Sequence, residues 1–425
     1  MSLPPLAPPR LRNDCFALPP GIDWTPVDTA LGLLRANLSA VVATEELAVA
    51  EALGRVLARD MLARRSNPPA ANSAVDGYGF AHASTGEGPQ TLPLVDGRAA
   101  AGLPFRGRVP KGSAIRILTG AILPEGVDTV VLEEDTASDG QRVAFHGPIK
   151  ARSNTRKAGE DVIAGDVALP AGHRLRPPDL ALLSAVGAAR VSVFRPLRMG
   201  VLSTGDEIVP DAGDAALEAG LIYDANRPML LAMARRWDHV PVDLGHVGDD
   251  RAALAARLDR GAAEADVIFT SGGASAGDED HVSALLQEAG TMHSWRIAVK
   301  PGRPLALGLW RGVPVFGLPG NPVAAFVCTL IFGRPALSAL AGAGWQQPAG
   351  FMVPAAFAKN KLPGRREYLR ARLTPQGHAE AFGSEGSGRI SGLSWATGLI
   401  ELADEARRIV PGDPVRFLPY GSFGL

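Results

Sequence analysis

A chain of 425 residues is too long for one ordinary hydrophobic core, so roughly two to four domains are expected. Its 46% hydrophobic and 20% charged residues are those of a soluble globular protein, and a net charge of −1 argues against a nucleic-acid or membrane-surface partner. Cys15 and Cys328 make neither a metal-ligand pattern nor a disulfide framework, the segment MSLPPLAPPRLRND has no apolar signal region, and the longest uncharged apolar run is Val323 to Phe332, so a reducing, cytoplasmic location is expected.

Residues 1–25 read as a Pro-rich lead-in. Val27, Ala30, Leu31, Leu34 and Leu38 then fall at near-helical spacing, with Thr25 as N-cap and Pro26 at the first helical position. A second helix is expected over Thr44 to Leu57, where Glu45 and Glu46 suit the first turn. From residue 63 to 162 the pattern changes to short alternating strands with many Gly and Pro, a β-rich domain. Asp76 in NSAVDGYGF, Thr119 after the strand Ile115 to Leu118, and Asp161 in RKAGED are turn residues on local grounds. The stretch RPPDLALLSAVG is a well-signed helix that ends at Gly187. Helical segments on both sides make residues 63–162 an insertion into a helical linking domain of residues 26–62 and 163–195.

Residues 196–342 alternate strand and helix and, with 1–25, predict a doubly wound parallel sheet. Strands are expected over Met199 to Ser203, Val240 to Val247, Val267 to Thr270 and Pro314 to Gly317, with helices over Arg227 to Trp237, after Asp249-Asp250, and from His281 to Ala289. Asn321 is a natural N-cap with Pro322 at N1. Residues 343–425 suit a small β-barrel or sandwich. Within them Arg366, Tyr368, Arg370 and Arg372 share one strand face, expected to be solvated.

The stretch VIFTSGGASAGDED carries the most chemistry. A buried strand runs into Ser271, Gly272, Gly273, Ser275 and Gly277, then into Asp278, Glu279, Asp280 and a helix. Glycines let backbone N–H groups approach a phosphate, and the helix start adds partial positive charge. Ligands on such sheets bind beyond the carboxyl ends of strands. Ser203-Thr204-Gly205-Asp206-Glu207, Asp249-Asp250, KPGRP and LPGNP therefore gather on the same rim. The acids Asp206, Glu207, Asp249, Asp278 and Asp280 would repel one another unless they hold Mg²⁺ or another hard cation against phosphate oxygens. Lys300 and Arg303 supply the opposite sign, and a lysine in a rigid turn is notable in a chain with six lysines among 43 basic residues. The composite is a pocket for a phosphorylated, metal-bridged ligand with a second anion beside it.

SAVDGYG, TGA, GED, STGDE, SGGASAGD, KPGRP, GLPGNPV and GRREYLRARL occur in the order seen in the molybdopterin molybdenumtransferase (MoeA) family, which the chain resembles over nearly its whole length. The resemblance implies a homodimer of four-domain subunits whose central α/β domain binds molybdopterin. It implies conversion of adenylylated molybdopterin and molybdate to molybdenum cofactor, with release of AMP and dependence on a divalent cation. Glu207, Asp249 and Asp280 match acidic, cation-holding site residues; Lys300 and Arg303 match the basic turn; Pro319 and Pro322 match prolines beside the cleft. Asp76, Thr119 and Asp161 match residues that reach the cleft from the second subunit, and Arg370 and Ser391 match positions near the molybdate site. Arg303 stands where the family often has Lys, Ala324 where Ser is frequent, and Gly79 where Ala is common. Further partners in view are the adenylyltransferase that makes the substrate and the apoenzymes that accept the product. A non-catalytic gephyrin-like scaffold and a molybdopterin adenylyltransferase are the alternatives.

Overall fold

A computed structural model of the chain describes residues 24–211, 213, 218, 220–272, 281–289, 293–302 and 304–425. Two compact units are present: Thr44–Phe194, and the chain before Thr44 joined to Arg195–Leu425. Helix α1 (Val27–Asn37) buries Val27, Ala30 and Leu34, and Pro26 rather than Thr25 occupies its N-cap. That one-residue offset lies within ordinary fraying of helix ends.

In the Thr44–Phe194 unit, the expected helix over Thr44 to Leu57 is replaced by strand β1 (Thr44–Ala48) and one 3-10 turn, Val49–Glu51. Six strands follow: β2 (Gly77–Phe80), β3 (Gly88–Ala99), β4 (Ala114–Ile117), β5 (Thr129–Leu132), β6 (Thr136–Ser138) and β7 (Arg142–Gly147). Then come helix α2 (Pro177–Ala185) and strand β8 (Arg190–Phe194). β1 pairs antiparallel with β8 from Thr44↔Phe194 to Ala48↔Arg190. Buried Val191 and Val193 offer a β-branched partner edge, and that tertiary pairing overrides the helical propensity of the Glu- and Ala-rich segment. The linking region is therefore mixed strand and helix. β2–β7 form one sheet in the order β5-β2-β4-β3-β7-β6, over a core that includes Phe80 stacked on Phe145 at 5.0 Å. Gly77 is obligatory there, since a Cβ would sit 1.9 Å from the Val131 carbonyl oxygen.

Helix α2 has Pro at its start, and Gly187 just beyond it takes φ +82, as its sequence predicted. Its buried Asp179 accepts from the Arg176 backbone N–H at 2.7 Å and from His173 at 2.8 Å. The Arg176 guanidinium first, and then His173, hold this carboxyl far below the usual Asp range, against the upward pull of burial. A depressed folded value means its contribution is complete above the ordinary value of 3.8 and is lost as pH falls below it. Acid titration of wild type should therefore show a loss of thermal stability below about pH 4 that Asp179→Asn lacks in part; parallel acid limbs would contradict this role.

The second unit is built on strand β9 (Arg198–Thr204), helix α3 (Asn226–Arg236), strand β10 (Val240–Val247), helix α4 (Arg251–Glu264), strand β11 (Val267–Ser271) and helix α5 (His281–Glu288). Strands β12 (His293–Arg296), β13 (Val299–Lys300), β14 (Pro304–Trp310) and β15 (Val313–Leu318) follow, then helices α6 (Pro322–Cys328) and α7 (Arg334–Leu340). The sheet order is β10-β9-β11-β15-β14-β12. β10, β9, β11 and β15 are parallel, whereas β14 pairs antiparallel with both β15 and β12, so the sheet is mixed rather than wholly parallel. The cause is a two-residue hairpin: Arg311 and Gly312 both have positive φ, the turn that lets β14 fold straight back as β15.

Alternate residues serve opposite faces. Val201, Phe269 and Phe316 pack with α1, α3 and α6, whereas Leu202, Ile268 and Val315 pack with α4 and α5. Among the described residues, the helical run Pro322–Leu340 is long and apolar enough to cross a membrane, but 94% of its 18-residue apolar window is buried within the protein. It extends beyond the apolar stretch Val323 to Phe332 through a π segment, Thr329–Gly333.

Strands β16 (Phe351–Pro354), β17 (Arg366–Leu373) and β18 (Ala379–Ala381), helix α8 (Ser391–Trp395), and strands β19 (Gly398–Leu402) and β20 (Pro414–Pro419) complete the chain. They pair in the order β13-β17-β19-β20-β16 with β18 beside β17, and a parallel bridge from Ala355 to Ala379 joins the end of β16 to β18, closing the path as a small barrel requires. The arginine face of β17 is not solvated. Tyr368 is 3% and Arg370 4% exposed, and Arg366 is clamped by Asp28 at 2.7 Å and Asp404 at 3.2 Å. Only Arg372 of the set remains largely exposed, lying 4.4 Å over the Trp395 ring.

Candidate functional site

The carboxyl ends of the four parallel strands form one continuous rim. β9 delivers Ser203 and Thr204, both buried, then Gly205 at φ +128. A Cβ on Gly205 would meet a Glu207 carboxylate oxygen at 2.3 Å, so the acid folds back over the turn. Asp206 and Asp249 brace each other: the Asp249 N–H donates to Asp206 Oδ1 at 2.9 Å, and the Asp206 N–H approaches Asp249 Oδ2 at 3.4 Å. His246 Nε2 lies 2.8 Å from the Gly205 carbonyl, tying the end of β10 to the same turn. From β11, Ser271 and Gly272 abut β9, and a Cβ at Gly272 would lie 2.5 Å from the Thr204 carbonyl oxygen. The Asn226 amide then donates to Ser271 Oγ and to the Gly320 carbonyl, both at 2.6 Å, joining the β11 end to the loop after β15.

A second group lies where β13 meets the C-terminal strands. The Lys300-Pro301-Gly302 turn rests on α6 and the loop before it: a Cβ on Gly302 would lie 2.9 Å from Cys328 Sγ, 3.5 Å from Ala324 Cβ and 3.7 Å from Pro319 Cγ. Asn321 holds the N-cap position before Pro322 without a side-chain capping bond. Burial pushes the Cys328 thiol up to about 12, which removes it as a nucleophile. Lys300 and Arg370 share a cavity of about 240 Å³ with Lys359, Tyr368, Phe382 and Glu385. Buried Arg370 donates to the carbonyls of Ser384 and Arg389, each at 2.5 Å, and lies 5.0 Å over the Phe382 ring. Desolvation holds its guanidinium below the usual arginine value. Ser391 opens α8, and the adjacent Gly392 leaves the space Arg370 occupies, since a Cβ there would be 2.9 Å from Nη1.

In the Thr44–Phe194 unit, Asp76 and Thr119 are one constellation. Asp76 Oδ1 accepts from both the N–H and the hydroxyl of Thr119 at 2.6 Å, and those bonds hold its carboxyl below the usual range. Asp161 is held separately, by Asn67 Nδ2 at 3.0 Å.

Gly273, Ser275, Gly277, Asp278, Asp280 and Arg303 lie outside the described residues, as does Cys15. Among the described residues no three His, Cys, Asp or Glu side chains form a metal-sized group. Glu207 and Asp249 are the described acids of the expected cation set. Their carboxylate oxygens are the donor class Mg²⁺ prefers, and the 3.4 Å contact to Asp249 is long enough to leave its oxygens free to ligate.

Family models match three consecutive regions: the MoeA N-terminal region (domain I and II) over residues 25–187, a probable molybdopterin binding domain over 200–339, and the MoeA C-terminal region (domain IV) over 352–420. The molybdopterin molybdenumtransferase of Haemophilus influenzae is 35% identical over 401 residues, covering 93% of this chain and 98% of its own. The chain belongs to the molybdopterin molybdenumtransferase (MoeA) family. A Mycobacterium tuberculosis relative, molybdopterin molybdenumtransferase 2, is 33% identical over 375 residues, 85% of this chain and 91% of its own. The crystal structure of the MoeA molybdopterin biosynthesis protein from Pyrococcus horikoshii OT3 superposes with a TM-score of 0.79 at 27% identity, covering 94% of this chain and all of that one. The chain is thus an enzyme of molybdenum cofactor biosynthesis with the MoeA multidomain architecture.

Three residues at the MoeA-type rim and cavity escaped sequence reasoning. Asn226 stands just before the helix expected from Arg227, and its bridging role depends on two loops remote in sequence. Lys359 and Glu385 lie in the punctuated C-terminal stretch and meet Lys300 only through the pairing of β13 with β17. The scarcity of lysine was the one available signal for Lys359.

Proposed function

We propose that this chain inserts molybdenum into adenylylated molybdopterin, consuming molybdate and releasing AMP to give molybdenum cofactor. The observation that carries the reading is the shared rim: backbone turns at Gly205 and Gly272, braced acids at Asp206 and Asp249, and the Lys300 turn seated on the loop after β15. In this reading Ser203, Thr204, Ser271 and the glycine-rich stretch containing Gly273, Ser275, Gly277 and Asp278 hold the terminal phosphate of the pterin. Mg²⁺ or another divalent cation, held by Glu207, Asp249 and Asp280, would neutralise phosphoanhydride charge when bound.

Lys300, Arg303, Arg370 and Ser391 receive molybdate, with Pro319 and Pro322 shaping the wall beside it. The buried guanidinium of Arg370 is fixed by loop carbonyls, so it meets the oxyanion without reorganising. Hydrolysis of the anhydride, which breaks its P–O bond and releases AMP, is coupled to metal insertion. The working enzyme is a homodimer in which Asp76, Thr119 and Asp161 complete the site of the second subunit. Four domains are assigned to each subunit: 26–62 with 163–195, 63–162, 1–25 with 196–342, and 343–425.

Product analysis separates the readings. Incubation with adenylylated molybdopterin, molybdate and Mg²⁺ should give pterin-bound molybdenum and AMP in equal amounts. Consumption of ATP with adenylylation of molybdopterin would replace this reading with the transferase that acts before it.

A further inference from the structure

The cavity beside Lys300 already contains an anion of its own. Lys300 Nζ lies 2.6 Å from Glu385 Oε2 and 3.6 Å from Glu367 Oε2. Lys359 Nζ lies 3.1 Å from Glu367 Oε2 and pairs with the other Glu385 oxygen, Oε1. Glu385 thus spends one carboxylate oxygen on each ammonium and staples the two lysines together. Burial pushes its carboxyl up, but the hydrogen bonds from Lys300 and Lys359 outweigh that and leave it below the ordinary value.

The two glutamates differ in how they are enclosed. Glu367 sits in β17, directly in register with Lys300, and its side chain is 7% exposed. Glu385 sits in the loop between β18 and α8, flanked by Gly383, Gly386 and Gly388, and its side chain is 44% exposed. The Glu367 side chain is enclosed, whereas the half-exposed Glu385 side chain can rotate into solvent while Arg370 keeps its hold on the Ser384 and Gly386 carbonyls. Lys300, Lys359 and Arg370 against two carboxylates leave a single positive charge around the cavity. Withdrawing Glu385 leaves two, the complement of a tetrahedral dianion.

We propose that Glu385 is a displaceable internal counter-ion, and that Lys359 joins Lys300 in gripping the dianion that replaces it. The proposal rests on the reading of this cavity as the molybdate site. Glu385 keeps the two ammonium groups paired and positioned while the cavity is empty. It also sets a threshold, because an incoming anion must compete with a carboxylate at both lysines. A monoanion repays only part of that exchange, so the device selects for dianions.

The test is molybdate binding to the full-length protein, by equilibrium dialysis with elemental analysis at fixed ionic strength. Glu385→Gln keeps the shape and removes the charge, and should bind molybdate about tenfold more tightly than wild type, with Lys359→Gln about tenfold weaker. Glu385→Ala, at a half-exposed loop position, serves as a second variant should the first fold poorly. Unchanged or weaker binding by both Glu385 variants would overturn the counter-ion role. Lys300→Gln separates the layers: if it loses molybdate while the Glu385 variants match wild type, the site stands and the counter-ion does not. If Lys300→Gln binds as wild type does, the molybdate site itself, and the proposal with it, is wrong.

Discussion

Asp249→Ala is expected to lower cation-dependent AMP release by about 100-fold or more, with little change in folding stability. The stability half follows from the structure. The bond that braces the two loops runs from the Asp249 backbone N–H to Asp206 Oδ1, and the substitution leaves that backbone donor in place. What is lost is a carboxylate whose recorded contact, at 3.4 Å, is too long to contribute much to the fold. Surface changes of this kind usually stay within about 0.5 kcal/mol. Asp249→Asn keeps the shape and should behave nearly as badly, because it removes the charge that a hard cation requires. Full cation-dependent turnover in either variant would show that Asp249 holds no metal.

Phe269→Ala should cost about 3–5 kcal/mol of unfolding free energy, read as a lowered urea midpoint at unchanged slope. The ring is fully buried in the centre of the parallel sheet and stacks on Phe316 with centroids 4.7 Å apart and planes at 5°. The ring edge is close-packed as well. Gly333, in the π segment, has its would-be Cβ position 2.9 Å from Phe269 Cε1. Truncation therefore leaves a cavity walled by a strand and a helix that cannot easily close on it. A midpoint shift equivalent to less than about 1 kcal/mol would mean that the core collapses around the gap.

The sequence marked the α/β part of this molecule well, for a physical reason. Fully buried strands such as Val267–Ser271 open on an unbroken apolar run, here Val267 to Phe269, and helices such as Arg251–Glu264 carry local start signals, here Asp250 accepting from the Ala253 N–H. Where pairing was decided far away in the chain, local patterns misled. Thr44–Ala48 became a strand because Arg190–Phe194 lies beside it, and no residue within either segment announces the other. The arginines of Arg366–Leu373 looked solvated because the partners that bury them, Asp28 and the carbonyls of Ser384 and Arg389, lie up to 338 positions away.

The site followed the same division. Convergence of STGDE, the Asp249 turn and the SGG turn on one rim was legible, since the carboxyl ends of parallel strands must share an edge. The Asp76–Thr119 pair and the Asp206–Asp249 brace exist only once the chain has folded, because each joins residues 43 positions apart. So does the bridge through Asn226, whose donors reach residues 45 and 94 positions on.

The measurement that bears most directly on the account is AMP release by purified protein given adenylylated molybdopterin, with molybdate and Mg²⁺ supplied singly and together. Release is expected only when both are present. Release that ignores molybdate would make the protein a hydrolase of the anhydride, and tight binding of the pterin with no release under any condition would contradict catalysis at this rim.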